Sequence, residues 1–137
     1  MIKILVVEDD IQLNRAVCTY LNDHGSYAKG CLNVNEGYNA MYNNLYDMII
    51  TDIMMPEIDG FEFAKSVRNI NKNIPIMFMT AKEDMHSKQK GYQLGIDDYM
   101  VKPINLEELV LRANALLRRT HIENEKKLVV GNLVMDG

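Results

Sequence analysis

Met48-Ile49-Ile50-Thr51-Asp52-Ile53-Met54-Met55-Pro56-Glu57-Ile58-Asp59-Gly60 is the stretch on which the reading of this chain turns. Met48 to Thr51 is a short apolar run, the pattern of a strand buried on both faces. The run ends on a carboxylate, Asp52, and is followed by turn residues that include Pro56 and Gly60. A carboxylate buried without a partner costs several kcal/mol. Asp52 therefore calls for a compensating positive charge, and the rest of the chain must supply it.

Outward from this stretch, strand and helix patterns alternate, with no internal repeat. Lys3 to Val7 reads as a strand buried on both faces. Asp9 or Asp10 then caps a helix whose Leu13, Ala16, Val17, Tyr20 and Leu21 share one stripe, and Gly25 ends it. Tyr27 to Leu32 is a weaker strand, and Asn33 or Asn35 caps a helix running to about Asn44. Gly60 opens a helix carrying Phe61, Phe63, Ala64 and Val67. Pro75 to Met79 is a fourth strand, residues 84–94 read as a helix poor in apolar positions, and Tyr99 to Val101 is a fifth strand. Asn105 caps a last helix with Leu106, Leu109, Val110, Ala113, Leu116 and Leu117 on one face, ending in Arg118-Arg119. Five strands alternating with five helices predict an α/β fold: a doubly wound, five-stranded parallel sheet with helices on both faces. The expected strand order is 2-1-3-4-5, the flavodoxin-like arrangement, whose working site lies at the carboxyl ends of the strands.

Composition narrows the function. The 137 residues give room for one domain and a short extension, and the net charge of −4 argues against a nucleic-acid surface within this chain. No apolar run approaches the ~20 residues of a membrane span. The acidic turn soon after Met1 does not read as a signal peptide. Cys18 and Cys31 form no Cys-x-x-Cys pair and read as reduced structural thiols of a cytoplasmic protein. His24, His86 and His121 lack zinc spacing.

The strand ends carry the chemistry. Glu8, Asp9 and Asp10 follow the first strand, Asp52 the third, Thr80 and Ala81 the fourth, and Lys102 and Pro103 the fifth. In the expected order Glu8, Asp9 and Asp52 converge, with Thr80 and Lys102 on the other side. Clustered carboxylates need a cation, and oxygen ligands with open positions suit Mg²⁺. Asp52 beside Mg²⁺, Lys102 and the Thr80 hydroxyl make a kit for phosphoryl transfer to a carboxylate. Backbone amides near Met54 and Ala81 are placed to hydrogen-bond the product. Each residue also has a plainer role, as a helix cap, a turn former, a strand-end hydroxyl or a solvated charge. Their coincidence at four strand ends on one edge is what points to a site.

In order and spacing, L-V-V-E-D-D, T-D-I-M-M-P-E-I-D-G, M-T-A-K and D-D-Y-M-V-K-P resemble the receiver domain of bacterial two-component response regulators, over roughly residues 1–119. The resemblance implies that Asp52 accepts phosphate from a phosphohistidine on a sensor histidine kinase. It implies that Glu8, Asp9, Asp52 and the main-chain carbonyl of Met54 hold Mg²⁺. Thr80 and Lys102 take the threonine and lysine positions, and Tyr99 that of the switch aromatic. Thr80 is expected to move toward the phosphoryl group and Tyr99 to turn inward behind it. Lys102–Pro103 is expected to be cis, X-Pro being the bond where cis costs little.

The tail, with E-E-L-V-L-R and L-L-R-R, resembles the OmpR/PhoB class, in which a receiver precedes a winged-helix DNA-binding domain. The expected division is a receiver at 1–120, a linker at 121–126 and, at 127–137, the start of a truncated effector domain, its Gly131-Asn132 pair reading as a hairpin turn. DNA would then be bound only through the missing domain. Homodimerisation on phosphorylation is expected on a face including Lys88, Tyr92, Asp98, Glu108, Val110 and Arg112, with Lys88 meeting Glu108 and Asp98 meeting Arg112 across a twofold axis. Ile104 stands where that class usually has phenylalanine, and Ile96 where it usually has alanine.

Three rivals fit less well. A haloacid-dehalogenase-type phosphatase needs a second aspartate where Met54 stands. A flavodoxin-like cofactor protein needs a hydroxyl-rich loop where Glu8-Asp9-Asp10 would repel phosphate. A stand-alone receiver acting by docking leaves residues 127–137 unexplained. The expectation is a signalling protein, not an enzyme.

Overall fold

Five short strands, β1 (Lys3–Val7), β2 (Tyr27–Cys31), β3 (Met48–Asp52), β4 (Ile76–Thr80) and β5 (Asp98–Val101), build a single parallel sheet in the order β2-β1-β3-β4-β5. Helices α1 (Ile11–Asp23), α2 (Val34–Asn43) and α3 (Gly60–Ile70) follow β1, β2 and β3, and α4 (106–120) closes the described chain. This computed structural model describes residues 1–55, 59–81 and 93–120. Most of the helix expected at 84–94, with Lys88 and Tyr92, and the expected linker and hairpin at 121–137 lie outside the described residues.

Alternation along the central strands sorts side chains into two cores. Leu5, Val7, Ile49 and Phe78 face α2 and α3, where Val34, Phe63, Ala64 and Val67 meet them. Ile4, Val6, Ile50, Met77 and Met79 face α1 and α4, where Val17, Leu21, Leu109, Ala113 and Leu116 close over them. Ile96 is buried in the first core and Ile104 packs against the second, so both departures from the resemblance are absorbed as packing.

Local chemistry sets where the elements begin. The carboxylate of Asp10, rather than of Asp9, caps α1 by accepting the Leu13 N–H at 3.1 Å. Asn33, Asp59 and Asn105 do the same for Glu36, Glu62 and Glu108 at 2.8, 2.9 and 3.0 Å. Gly25, at φ 91°, turns the chain out of α1. The fourth strand starts at Ile76, not Pro75, because proline has no N–H for the ladder; Pro75 contributes only its carbonyl, to Ile49 N at 3.0 Å. The third strand extends to Asp52 and the fifth begins at Asp98.

At the amino edge of the sheet one side chain ties several turns together. The Arg68 guanidinium donates to the carbonyls of Gly95, at 2.7 Å, and of Ile74, and pairs with Asp97 at 3.0 Å. Asp97 also accepts the Ile76 N–H at 2.9 Å and pairs with Arg119 at 2.8 Å. The far end of α4 is thereby anchored opposite the edge where the acidic strand ends gather.

Candidate functional site

Register puts the site together. Val7 pairs with Thr51, so Glu8 and Asp52 sit side by side just beyond that pair. Asp52 pairs with Met79 and Thr80 with Val101, which brings Thr80 and Lys102 to the same edge. Lys102 N–H also donates to the Thr80 carbonyl at 2.8 Å. The Lys102–Pro103 bond is cis, as expected.

Lys102 supplies the positive charge that Asp52 required. Its Nζ donates to Asp52 Oδ2 at 2.9 Å and lies 2.7 Å from Glu8 Oε1. Asp52 Oδ1 accepts the Met54 N–H at 3.3 Å. Burial works against the charge on Lys102, but the carboxylates of Glu8 and Asp52 outweigh it and hold its pKa above the usual lysine value. Glu8 is the more deeply buried acid, at 0 % exposure against 5 % for Asp52. That burial pushes the Glu8 carboxyl up to about 7, against the opposing pull of the Asp10 N–H and Lys102.

The donor set fits a hard dication. Glu8, Asp9 and Asp52 each offer a carboxylate oxygen, all within 4.8 Å of one another, and Asp9 is exposed while the other two are buried. Glu8 Oε2 accepts the Asp10 N–H at 2.9 Å, but among the described residues Glu8 Oε1 is the one buried side-chain oxygen or nitrogen that no hydrogen bond satisfies. The nearby Lys102 attracts it without aligning a hydrogen on it. Three carboxylates against one lysine leave an oxygen-only cluster with excess negative charge, the setting that suits Mg²⁺.

Gly60 N–H donates to the Ile53 carbonyl at 2.6 Å. A Cβ on Gly60 would overlap the Asp52 carbonyl, so the start of α3 packs directly on the backbone that carries Asp52. Thr80 is fully buried, and its hydroxyl donates to the Ala81 carbonyl at 3.1 Å. Tyr99 is already buried, with its ring 5.5 Å from Phe78 at 72°. Phe78 in turn meets Phe61 edge-on at 5.2 Å. Arg112 pairs within its own chain, at 2.9 Å to both Asp98 and Glu108.

One residue of the site's surroundings escaped the sequence reading. Asn14 lies on the buried stripe of α1 with Val17 and Leu21, and its amide donates to the carbonyls of Glu8 and Cys31 at 3.0 and 2.9 Å. The available signal was its spacing: a carboxamide three and seven residues before two buried apolar positions.

An acidic pair after the first strand, an aspartate after the third and a lysine after the fifth, on one edge of a doubly wound sheet, define the class. The chain belongs to the response regulator receiver domain family, which matches residues 4–114. It is 41% identical over 139 residues to the transcriptional regulatory protein CiaR of Streptococcus pneumoniae, covering 99% of this chain and 60% of that protein. It is 39% identical to the transcriptional regulatory protein RprY of Bacteroides fragilis, covering 92% of this chain and 53% of that one. Relatives at this level are of the OmpR/PhoB type. The chain thus spans little more than half the length of these relatives. Among solved structures, the Francisella response regulator 1452 receiver domain superposes with a TM-score of 0.80 at 32% identity, over 88% of this chain and 99% of that one. No helix among the described residues is long and apolar enough to cross a membrane.

Proposed function

We propose that this chain is the phosphoacceptor module of a transcription-regulating response regulator in a cytoplasmic two-component system. An Asp52 carboxylate oxygen attacks the phosphorus of a phosphohistidine on a sensor histidine kinase. The P–N bond breaks, and the imidazole leaves with the electron pair. Lys102 turns from its carboxylate partners toward the incoming phosphoryl oxygens, and the Thr80 hydroxyl and the Met54 N–H hydrogen-bond the product. Glu8, Asp9, Asp52 and the Met54 carbonyl would hold Mg²⁺, which supplies positive charge for the phosphoryl oxygens when bound. Phosphorylation then favours a homodimer, and DNA is contacted through a domain beyond this chain.

The observation that carries this reading is the Lys102 ammonium lying within 2.9 Å of both Asp52 and Glu8 in a cluster of acids. Acetyl phosphate with Mg²⁺ should add one phosphate to the wild type by intact mass, and none to Asp52→Asn. Uptake by Asp52→Asn at the wild-type rate would overturn the assignment.

A further inference from the structure

We infer that Asn14 is a positioning residue of the phosphoacceptor site, acting through the backbone of Glu8. The inference rests on the phosphoacceptor reading and extends it to a side chain that touches neither phosphate nor metal. Asn14 is 5 % exposed, on the face of α1 turned toward the sheet. Its Nδ2 donates one hydrogen to the Glu8 carbonyl at 3.0 Å and the other to the Cys31 carbonyl at 2.9 Å. The Cys31 carbonyl also accepts the Glu8 N–H at 3.0 Å. Glu8, just past the end of β1, is thus held at its N–H by the last bond to β2 and at its C=O by Asn14. Its side chain is then steadied at Oε2 by the Asp10 N–H, leaving Oε1 toward Lys102 and the acidic cluster.

The chemistry of the contacts selects asparagine. Two carbonyl oxygens face one terminal atom, so that atom must carry two hydrogens. The other terminal atom, Oδ1, accepts the Cys18 S–H at 3.4 Å. Aspartate would turn an acceptor toward two acceptors, and leucine would fill the space while donating nothing. The slot is kept open by Gly30: a Cβ there would overlap Asn14 Oδ1 and come within 3.1 Å of Cys18 Sγ. Gly30, Asn14 and Glu8 therefore form a relay from the edge strand to the acidic cluster.

The test compares wild type, Asn14→Leu and Gly30→Ala in the 137-residue protein. Mg²⁺ affinity is read by calorimetry, folding by thermal unfolding in EDTA, and phosphate uptake from acetyl phosphate by intact mass across a Mg²⁺ series. Partners that orient metal ligands typically set ~10–100-fold in affinity, and a loss of that size is expected for Asn14→Leu. Its unfolding in EDTA should stay cooperative, and its uptake should recover toward wild type at saturating Mg²⁺. A purely structural role would instead lower stability in EDTA and leave the Mg²⁺ dependence unmoved. Gly30→Ala keeps the carboxamide but pushes it aside, so it should show the same Mg²⁺ defect and decides the matter if Asn14→Leu does not fold. Wild-type Mg²⁺ affinity in a folded variant of either kind overturns the inference. A wild-type protein that neither binds Mg²⁺ nor gains phosphate overturns the phosphoacceptor reading itself, a different result.

Discussion

At the scale of single residues, Glu8 carries the clearest electrostatic consequence. Its carboxyl is pushed from the ordinary 4.5 to about 7 by burial. Between those values the folded protein holds a proton that the unfolded chain has already released. The resulting stability is fully present below about 4.5 and is lost as pH rises through about 7. In EDTA, the melting temperature of wild type should fall across that window, and that of Glu8→Gln, which cannot ionise, should fall less. Parallel pH profiles would refute the assignment. Gly60 carries the steric counterpart. A side chain there meets backbone at Asp52 and Ile53, which cannot swing aside. Gly60→Ala should cost about 1–3 kcal/mol by denaturant unfolding, as overpacking does, and should slow phosphate uptake because Asp52 itself is displaced. Asp52, Glu8, Asp9 and Lys102 were legible in the sequence because each follows an apolar run that has no other reason to end in charge. Asn14 was not, since a carboxamide on an amphipathic helix is ordinarily solvated, and only the carbonyls of two strands reveal what it holds.

At the scale of elements, the meeting of β5 and α4 holds three of the charged residues expected at a dimer face, Asp98, Glu108 and Arg112. The motif pattern pairs Asp98 with Arg112 of a second copy. In the single chain Arg112 holds Asp98 and Glu108 of its own. Sequence spacing gives the i, i+4 contact with Glu108 but does not say whether a cross-element pair forms within or between chains. Exposed pairs of this kind are worth ~0–1 kcal/mol, so exchanging one set for the other changes little in energy. Arg112→Glu should weaken the beryllofluoride-activated dimer in sedimentation, and adding Asp98→Arg should restore it in part. Dimerisation of Arg112→Glu as tight as wild type would place the interface elsewhere. The strand order was legible for a simpler reason: each strand is a short buried run followed by a capped helix, and the crossover rules leave few alternatives. Strand ends shifted where Pro75 lacks a donor, where Leu32 falls beyond the second strand, and where Asp52 and Asp98, polar residues, still join the ladder.

At the scale of the whole molecule, the two edges of the sheet do different work. The carboxyl edge gathers charge; the amino edge is closed by Arg68, Asp97 and Arg119. Arg68→Ala strands the Gly95 and Ile74 carbonyls and leaves Asp97 with the Ile76 N–H and Arg119, which should cost about 1–3 kcal/mol of stability. Mg²⁺ affinity should stay at the wild-type value, because that cluster is a strand's length away; a parallel loss of both would mean that the edges are energetically coupled. The helix α4 spans that separation. It starts a few residues after Lys102 and ends where Arg119 grips Asp97, about 22 Å along its axis at 1.5 Å per residue. Leu109, Ala113 and Leu116 seat it on the sheet between those ends, so it can shift only as one stiff body. Under the proposed phosphotransfer, a shift of Lys102 that tilts this helix would reach a domain attached beyond Thr120 as a change of angle rather than as a touch.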